Sequence, residues 1–332
     1  NRVLARFGLT GMRESKLAGL RALIEAARLE NQKLNCEHVG YWLAPRLNAA
    51  GRMGHADLAA ELLTSASEDR AREIALYLEE ANRQRQSTER EIFKTACERI
   101  EKDDLACMSR RGIVLAHDGW HAGVVGIVAS RVVERYGRPT VLIALQNGEG
   151  QGSARSIRHF EMHQALAECA EHLLAYGGHA MAGGLRIKRE CVPAFAEAFT
   201  HRANMRLTSQ DLEPSLRLDA EASLAEFSEP VVKDLERLSP HGPGNPKPKF
   251  ASRILCVEGE PRAVGRNGEH LQFSVSDGTT RRKAIAFGQA HQLPGLAERR
   301  RCRVAFEPCL NTFNGRTSVE IQVLDIVFPD EP

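Results

Sequence analysis

Residues 177–184 read Gly177-Gly178-His179-Ala180-Met181-Ala182-Gly183-Gly184, and the folding of this stretch decides how the middle of the chain is built. It follows a run from about His163 to Leu174 in which Ala165, Leu166, Ala170, Leu173 and Leu174 recur at helical spacing. That spacing predicts a helix with Gly177 as its left-handed cap, followed by a short strand over Leu185–Ile187. Four glycines and two alanines around one imidazole leave little side-chain bulk, with Met181 the only large apolar group. Such a segment lets backbone N–H groups, Gly178 among them, approach an anion closely, with His179 the one side chain able to exchange a proton. It reads equally well as a tight turn with His179 at the surface.

Upstream of this stretch, Gly112–Ala116 reads as a strand, 117–121 as a loop, about Gly123 to Tyr136 as a helix and Thr140–Leu145 as a second strand. This β-α-β order predicts a partly parallel sheet. The helix start carries Gly123, Gly126, Ala129 and Ser130, which is neither a Gly-x-Gly-x-x-Gly fingerprint nor a P-loop, so nucleotide-cofactor folds gain no support. In the extended segment Gly152-Ser153-Ala154-Arg155-Ser156, residues two apart share a side. Ser153 and Arg155 therefore present a hydroxyl and a guanidinium together, a phosphate grip, or form an ordinary strand edge. Arg131, on the preceding helix, is a further candidate contact. His117, Asp118 and His121 offer metal-ligand chemistry, but a polar loop over Trp120 accounts for them more simply. No paired aspartates stand ready to hold two metals. Another helix is expected near Val192–Phe199.

The N-terminal part begins with a helix over Leu17–Leu29. Leu43-Ala44-Pro45-Arg46-Leu47-Asn48-Ala49-Ala50-Gly51-Arg52-Met53-Gly54 then sets Arg46, Asn48 and Arg52 among small residues, a polar cluster or a loop stapled by salt bridges. A helix over 56–63 and a capping box of Ser65 and Glu68 come next. From there a helical pattern runs to about Ile100, on the order of 50 Å at about 1.5 Å per residue. Its apolar stripe (Ala71, Ile74, Leu78, Ala81) lapses and resumes at Ile92, Phe93, Ala96 and Ile100. Between them 82–90 is polar all round, so a strut bridging two domains across a solvent-filled gap is expected, and the interruption argues against a coiled coil.

A charged segment from Asn204 to Leu238 leads to Pro240-His241-Gly242-Pro243-Gly244-Asn245-Pro246-Lys247-Pro248, which cannot continue a helix and is expected to mark a domain joint. Five short strands follow, over 252–257, 270–276, 281–287, 303–309 and 318–327, with Asn314-Gly315 turning the last pair; they predict a small OB-type barrel, with an SH3-like barrel as the alternative. Arg281-Arg282-Lys283 and Arg299-Arg300-Arg301, with Phe273, Phe287 or Phe313, suit a single strand of nucleic acid or a solvated face. A net charge of +2 makes any basic surface local. The eight cysteines stand singly, which fits reduced cytoplasmic thiols and excludes a disulfide framework. No signal peptide or membrane-length apolar run is present, and the opening at Asn1 without an initiator Met reads as that of a fragment.

Taken together, Pro45–Arg52, Trp120–Arg131, Gly152–Ser156, the Gly-Gly-His stretch and Gly242–Pro246 resemble, in order, the RecJ family of single-strand-specific 5′→3′ exonucleases in the DHH phosphoesterase superfamily. The Gly-Gly-His element alone would indicate only a DHHA1 domain. The resemblance implies an α/β fold: a DHHA1-type α/β domain with a long connector helix, followed by a small OB-type β-barrel. It places the end of a catalytic DHH domain at 1–64, the connector at 65–105, the DHHA1 domain at 106–205, a linker at 206–250 and the barrel at 251–330. It implies that Arg52, Ser153 and Arg155 bind DNA phosphates, with Asn48, Gln86, Arg131, Gly178 and His179 lining the cleft. It further implies a Mn²⁺- or Mg²⁺-dependent nuclease of DNA repair and recombination, working in the cytoplasm on single-stranded DNA. The metals, which activate water for attack on the phosphodiester, are expected on a DHH domain upstream of Asn1, so no catalytic or metal-binding residue is expected in this chain and it is expected to be inactive alone. A non-catalytic single-strand-binding adaptor and a short-oligonucleotide phosphodiesterase of the same superfamily are the competing readings. The residues identify no partner protein.

Overall fold

A computed structural model of the chain describes residues 1–64, 67–242 and 244–329. They divide into two units, one of 11–215 and one of 1–10 with the chain from Leu216 onward.

In the first unit, helices α2 (Ala18–Ala26), α3 (Ala44–Met53) and α4 (Ala56–Thr64) pack on the N-terminal half of α5 (Glu68–Lys102); α1 (Arg2–Arg13) falls mostly in the second unit. Leu23, Leu29, Leu62, Ile74 and Leu78 fill the core between them. The stretch 43–54, read as a polar cluster or a stapled loop, is helical: a π-helical turn, His38–Leu43, runs straight into α3. Pro45 sits in the first turn, where its missing N–H costs nothing, Ala49 and Ala50 are fully buried, and Gly54 closes the helix at φ +106°.

The long helix α5 has 35 residues, starting at Glu68 with Ser67 as the cap that accepts the Arg70 N–H. The expected capping residue Ser65 lies outside the described residues. The polar middle of α5 differs from the solvent-bathed strut read from the sequence. Asn82 and Arg85 are buried and Glu89 is 14% exposed, on the same face as Leu78 and Ile92. The buried stripe is therefore continuous, but it changes from apolar to polar for two turns.

The α/β part holds a five-stranded sheet in the order β1-β2-β3-β5-β4. Strand β1 (Ile113–His117) leads through α6 (Ala122–Tyr136) to β2 (Thr140–Gln146), its parallel neighbour, and β3 (Glu149–Arg155) returns antiparallel. One sheet face sends Leu142 and Ala144 to α6; the other sends Val141, Ile143, Ala154, Leu185 and Ile187 to a core with Phe195 and Phe199. The predicted helix over 163–174 shrinks to α7 (Met162–Ala167) and one 3-10 turn at Ala170–His172. Gly177 is no helix cap. It belongs to the edge strand β4 (Ala175–Gly178), paired with β5 (Ala182–Lys188). The strand wins because Leu174 N–H already donates to the Arg186 carbonyl at 2.8 Å, and glycine gives a helix nothing to hold it. Helix α8 (Val192–Arg206) closes the unit.

In the second unit, β8 (Leu255–Val264), β9 (His270–Ser276), β10 (Arg281–Ala286), β11 (Arg301–Phe313) and β12 (Arg316–Val327) form a closed ring, β8-β9-β10-β12-β11-β8. Two short strands, β6 (Ala220–Glu221) and β7 (Phe250–Ala251), extend the sheet beyond β11, while α9 (Glu229–Glu236) and α10 (Leu293–Arg299) complete the unit. Asn314 and Gly315 turn the last hairpin at φ +49° and +75°. The segment 206–250 is not a bare linker. Its latter part belongs to the barrel unit, with Phe227 packed 4.8 Å from Phe250 and 5.3 Å from Phe306, so Pro240–Pro248 lies within a unit rather than between two. Of the aromatic candidates, Phe273 is core, whereas Phe287 and Phe313 are exposed. Arg282 donates to the Leu224 and Phe227 carbonyls, a structural role.

Asp277 ties the same region to the barrel. Burial by itself raises its carboxyl, but hydrogen bonds from Thr280, Thr279 and Leu224 outweigh that and hold it down at about 2. An unfolded aspartate titrates near ~3.9, so this carboxylate adds stability above about pH 4 that fades as the pH falls through about 2. Thermal melts between about pH 6 and 2 are expected to show Asp277→Asn melting a few degrees lower at neutral pH and losing part of the acid-side decline. An unaltered acid limb would contradict this account.

Candidate functional site

Two glycines on α6 bring the candidate residues together. A Cβ on Gly123 would lie 2.5 Å from the Arg52 carbonyl oxygen, so the end of α3 rests directly on the start of α6. The Arg52 guanidinium returns across the same contact, donating from Nη1 to the Gly123 carbonyl at 2.9 Å. One turn on, a Cβ on Gly126 would lie 3.0 Å from Ser153 Oγ and 3.2 Å from Arg155 Nη2. Both residues therefore face α6 from β3, side by side, as alternation in a strand requires. Arg155 is half-buried, with Nε donating to Ser130 Oγ at 3.2 Å and Nη1 to the Ala154 carbonyl at 2.8 Å.

The electrostatics follow from this packing. Burial pushes the Arg155 guanidinium below its usual range, and the nearby Arg52 charge pushes the same way. The named partners of both arginines are neutral: a carbonyl for Arg52, a carbonyl and a hydroxyl for Arg155. A third charge, negative, placed between them would relieve both effects.

The glycine stretch continues the site along the sheet. Ser153 pairs with Gly184, which pairs with Gly177, and directly opposed residues share a sheet face. Beside the serine hydroxyl lies an exposed strip of backbone without side chains. Gly178, at φ +149°, turns the hairpin where a Cβ would strike the Ala182 carbonyl at 2.4 Å. His179 follows in the turn, exposed, its N–H donating to the Ala182 carbonyl at 2.8 Å.

The other candidates are distributed less evenly. Asn48 is exposed on α3, and Gln86 is half-buried on α5. Arg46 is committed elsewhere, with Nε 2.5 Å from Glu79 Oε2 on α5. Arg131 pairs with Glu89 at 3.0 Å. In the loop 117–121 the candidate ligands have other partners: His117 Nδ1 accepts the Gly119 N–H, Asp118 pairs with Arg189, and His121 Nδ1 caps α6 at the Gly123 N–H. Trp120 is buried beneath, stacked on His117. Among the described residues no three His, Cys, Asp or Glu side chains converge on a point a metal would occupy, so these residues do not fit one. The small residues opening α6 carry no role in the sequence pattern alone; two glycines in the first turns of a helix are nonetheless the signal of a close approach.

The DHHA1 domain family matches residues 109–205, and the RecJ OB domain family matches residues 218–325. The chain thus carries a DHHA1 domain followed by a RecJ OB domain. It is 32% identical to the single-stranded-DNA-specific exonuclease RecJ of Bacillus subtilis, over 98% of this chain and 41% of that protein. The crystal structure of RecJ in complex with Mg²⁺ from Thermus thermophilus matches with a TM-score of 0.83 and 30% identity, covering 100% of this chain and 49% of that one. The Mn²⁺ complex from the same organism gives a TM-score of 0.82 at 30% identity, with 100% and 47% covered. This RecJ-like chain spans about half the length of the relatives it matches, as a C-terminal portion of them.

Gly123 has an ordinary backbone conformation, and alanine is the better helix former by about 1 kcal/mol, so only packing demands glycine here. Gly123→Ala is therefore expected to destabilise the unit by about 1–3 kcal/mol, measured by urea unfolding. A stabilising effect would show that α3 and α6 do not meet in this way.

Proposed function

We propose that this chain is the strand-gripping part of a 5′→3′ exonuclease that acts on single-stranded DNA in repair and recombination. The observation that carries this reading is the convergence of Arg52 and Arg155, two cations with neutral partners, beside the Ser153 hydroxyl. A phosphodiester supplies the missing negative charge, and a guanidinium with a hydroxyl matches its oxygens. The bare strip at Gly177 and Gly184 lets the rest of a nucleotide lie against backbone, with Gly178 and His179 at its far end. Asn48, Gln86 and Arg131 line the path. All of these contacts read phosphate and shape rather than base edges, which suits an enzyme that removes nucleotides of any sequence.

The relatives are single-stranded-DNA-specific exonucleases by name, which supports the substrate, and the Thermus thermophilus complexes with Mg²⁺ and Mn²⁺ support metal dependence. Since the residues present do not fit a metal, we assign the ion to a DHH domain elsewhere in the complete protein. No helix among the described residues is long and apolar enough to cross a membrane, and the enzyme is assigned to the cytoplasm, where its substrate lies.

Two measurements test the reading. Residues 1–332 alone are expected to bind single-stranded DNA yet release no nucleotide with Mn²⁺; measurable release would place catalysis within this chain. In the complete protein, Arg155→Ala is expected to weaken binding about tenfold for every sequence and to reduce the salt slope by about one. Equal affinity and slope would remove Arg155 from the interface.

A further inference from the structure

The polar stripe of α5 ends on a carboxylate that serves two arginines. Glu89 Oε2 accepts from Arg85 Nη1 at 2.6 Å, and Oε1 accepts from Arg131 Nη1 on α6 at 3.0 Å. Arg85 is fixed from its other side, with Nε and Nη2 donating to Asn82 Oδ1 at 3.3 and 3.0 Å. The side chains of Arg85 and Glu89 are 10% and 14% exposed, whereas that of Arg131 is 39% exposed. The Arg131 guanidinium carbon also stands 4.0 Å above the centroid of Phe93, one turn along α5 from Glu89.

Arg131 is thus gripped by α5 on an edge and on a face while remaining the most exposed of the three. Glu89 uses one of five N–H donors and leaves the rest of the planar fork to other acceptors. Freezing an arginine side chain costs rotamer entropy, and sinking a carboxylate adds a desolvation cost. An arginine that only solvates a surface needs neither. The adjacent residue in the chain, Ser130, holds Arg155. One turn of α6 therefore anchors two guanidinium groups, one through Glu89 and the other through its own hydroxyl.

We propose that Glu89 is a positioning residue: it fixes Arg131 over Phe93 in the orientation that meets a phosphate of the bound strand. This rests on the strand-binding reading of Arg52, Ser153 and Arg155. The charges make the idea testable, because two explanations predict opposite signs. Glu89→Gln removes a negative charge from the path of a polyanion, so the electrostatic field alone predicts tighter binding. Loss of positioning predicts weaker binding despite the added positive charge.

The test is fluorescence anisotropy with an oligothymidylate on the complete protein in a chelator, with a thermal melt for each variant. Glu89→Gln is expected to bind about five- to tenfold more weakly, and to cause no further loss in an Arg131→Ala background. Equal or tighter binding by Glu89→Gln, or losses that simply add, would overturn the proposal. If Glu89→Gln does not fold, Phe93→Leu decides, since it removes the seat of Arg131 without changing charge: the same weakening, absent in the Arg131→Ala background, is expected. An Arg155→Ala control separates the two levels. If it loses affinity and the Glu89 and Phe93 variants do not, only this inference falls; if it binds like the parent, the strand-binding reading falls and takes this inference with it.

Discussion

The seating of α6 against α3 and β3 is the contact on which the candidate site depends. At Gly123 and Gly126 the helix comes so near its neighbours that a methyl group would meet a backbone carbonyl in one case and the Ser153 and Arg155 side chains in the other. Pulling α6 away by the width of a methyl would separate Arg52 from Arg155, since one is tied to Gly123 and the other to Ser130 on the same helix. The position of two charges in space is set by two absent side chains.

What that seating produces is best seen by comparing arginines. Arg46 has Glu79, Arg189 has Asp118, and Arg85 and Arg131 share the single carboxylate of Glu89, so each of these charges has an acid close at hand. Arg52 and Arg155 lie near each other with neutral partners, one of them half-buried. Like charges near one another in a partly desolvated place oppose folding, and among the described residues no acid pairs with either. On the proposed reading the compensation comes from the bound strand. The affinity of the proposed site for an anion would include the relief of a repulsion already present in the free protein, which is why this pair carries the proposal further than the arginines with an acid at hand.

Local pattern was legible in the sequence wherever one element decided its own structure. The β-α-β unit, the five barrel strands, the Asn314-Gly315 turn and the pairing of Ser153 with Arg155 on one strand face all follow from periodicity or turn chemistry within a few residues. The misreadings share one cause, a partner outside the segment being read. Gly177 and its neighbours form a strand because β5 offers them hydrogen bonds, although Ala165–Leu174 carries helical spacing. The stretch 43–54 looks like a polar loop until Ala49 and Ala50 are buried against other helices. The joint expected at Pro240–Pro248 moves because Phe227, far upstream of the first long barrel strand, packs into the barrel core. The approach of α6 to α3 and β3 was not legible at all, since glycine marks permission for a contact and never names the other side.

The middle of α5 shows what such a partner does to a helix. Asn82, Arg85 and Glu89 occupy the face that Leu78 and Ile92 occupy on either side, and an apolar sequence there would have buried more comfortably. Apolar side chains slide against one another at little cost. A ladder in which Asn82 holds Arg85, Arg85 holds Glu89 and Glu89 holds Arg131 has one register, because displacing α5 by a turn leaves buried charges unpaired. The two helices that bound the site are therefore indexed to each other at one place, next to the residue that holds Arg155. A long helix of this kind does more than span a distance: its polar turns fix where along that distance the cations of α6 stand.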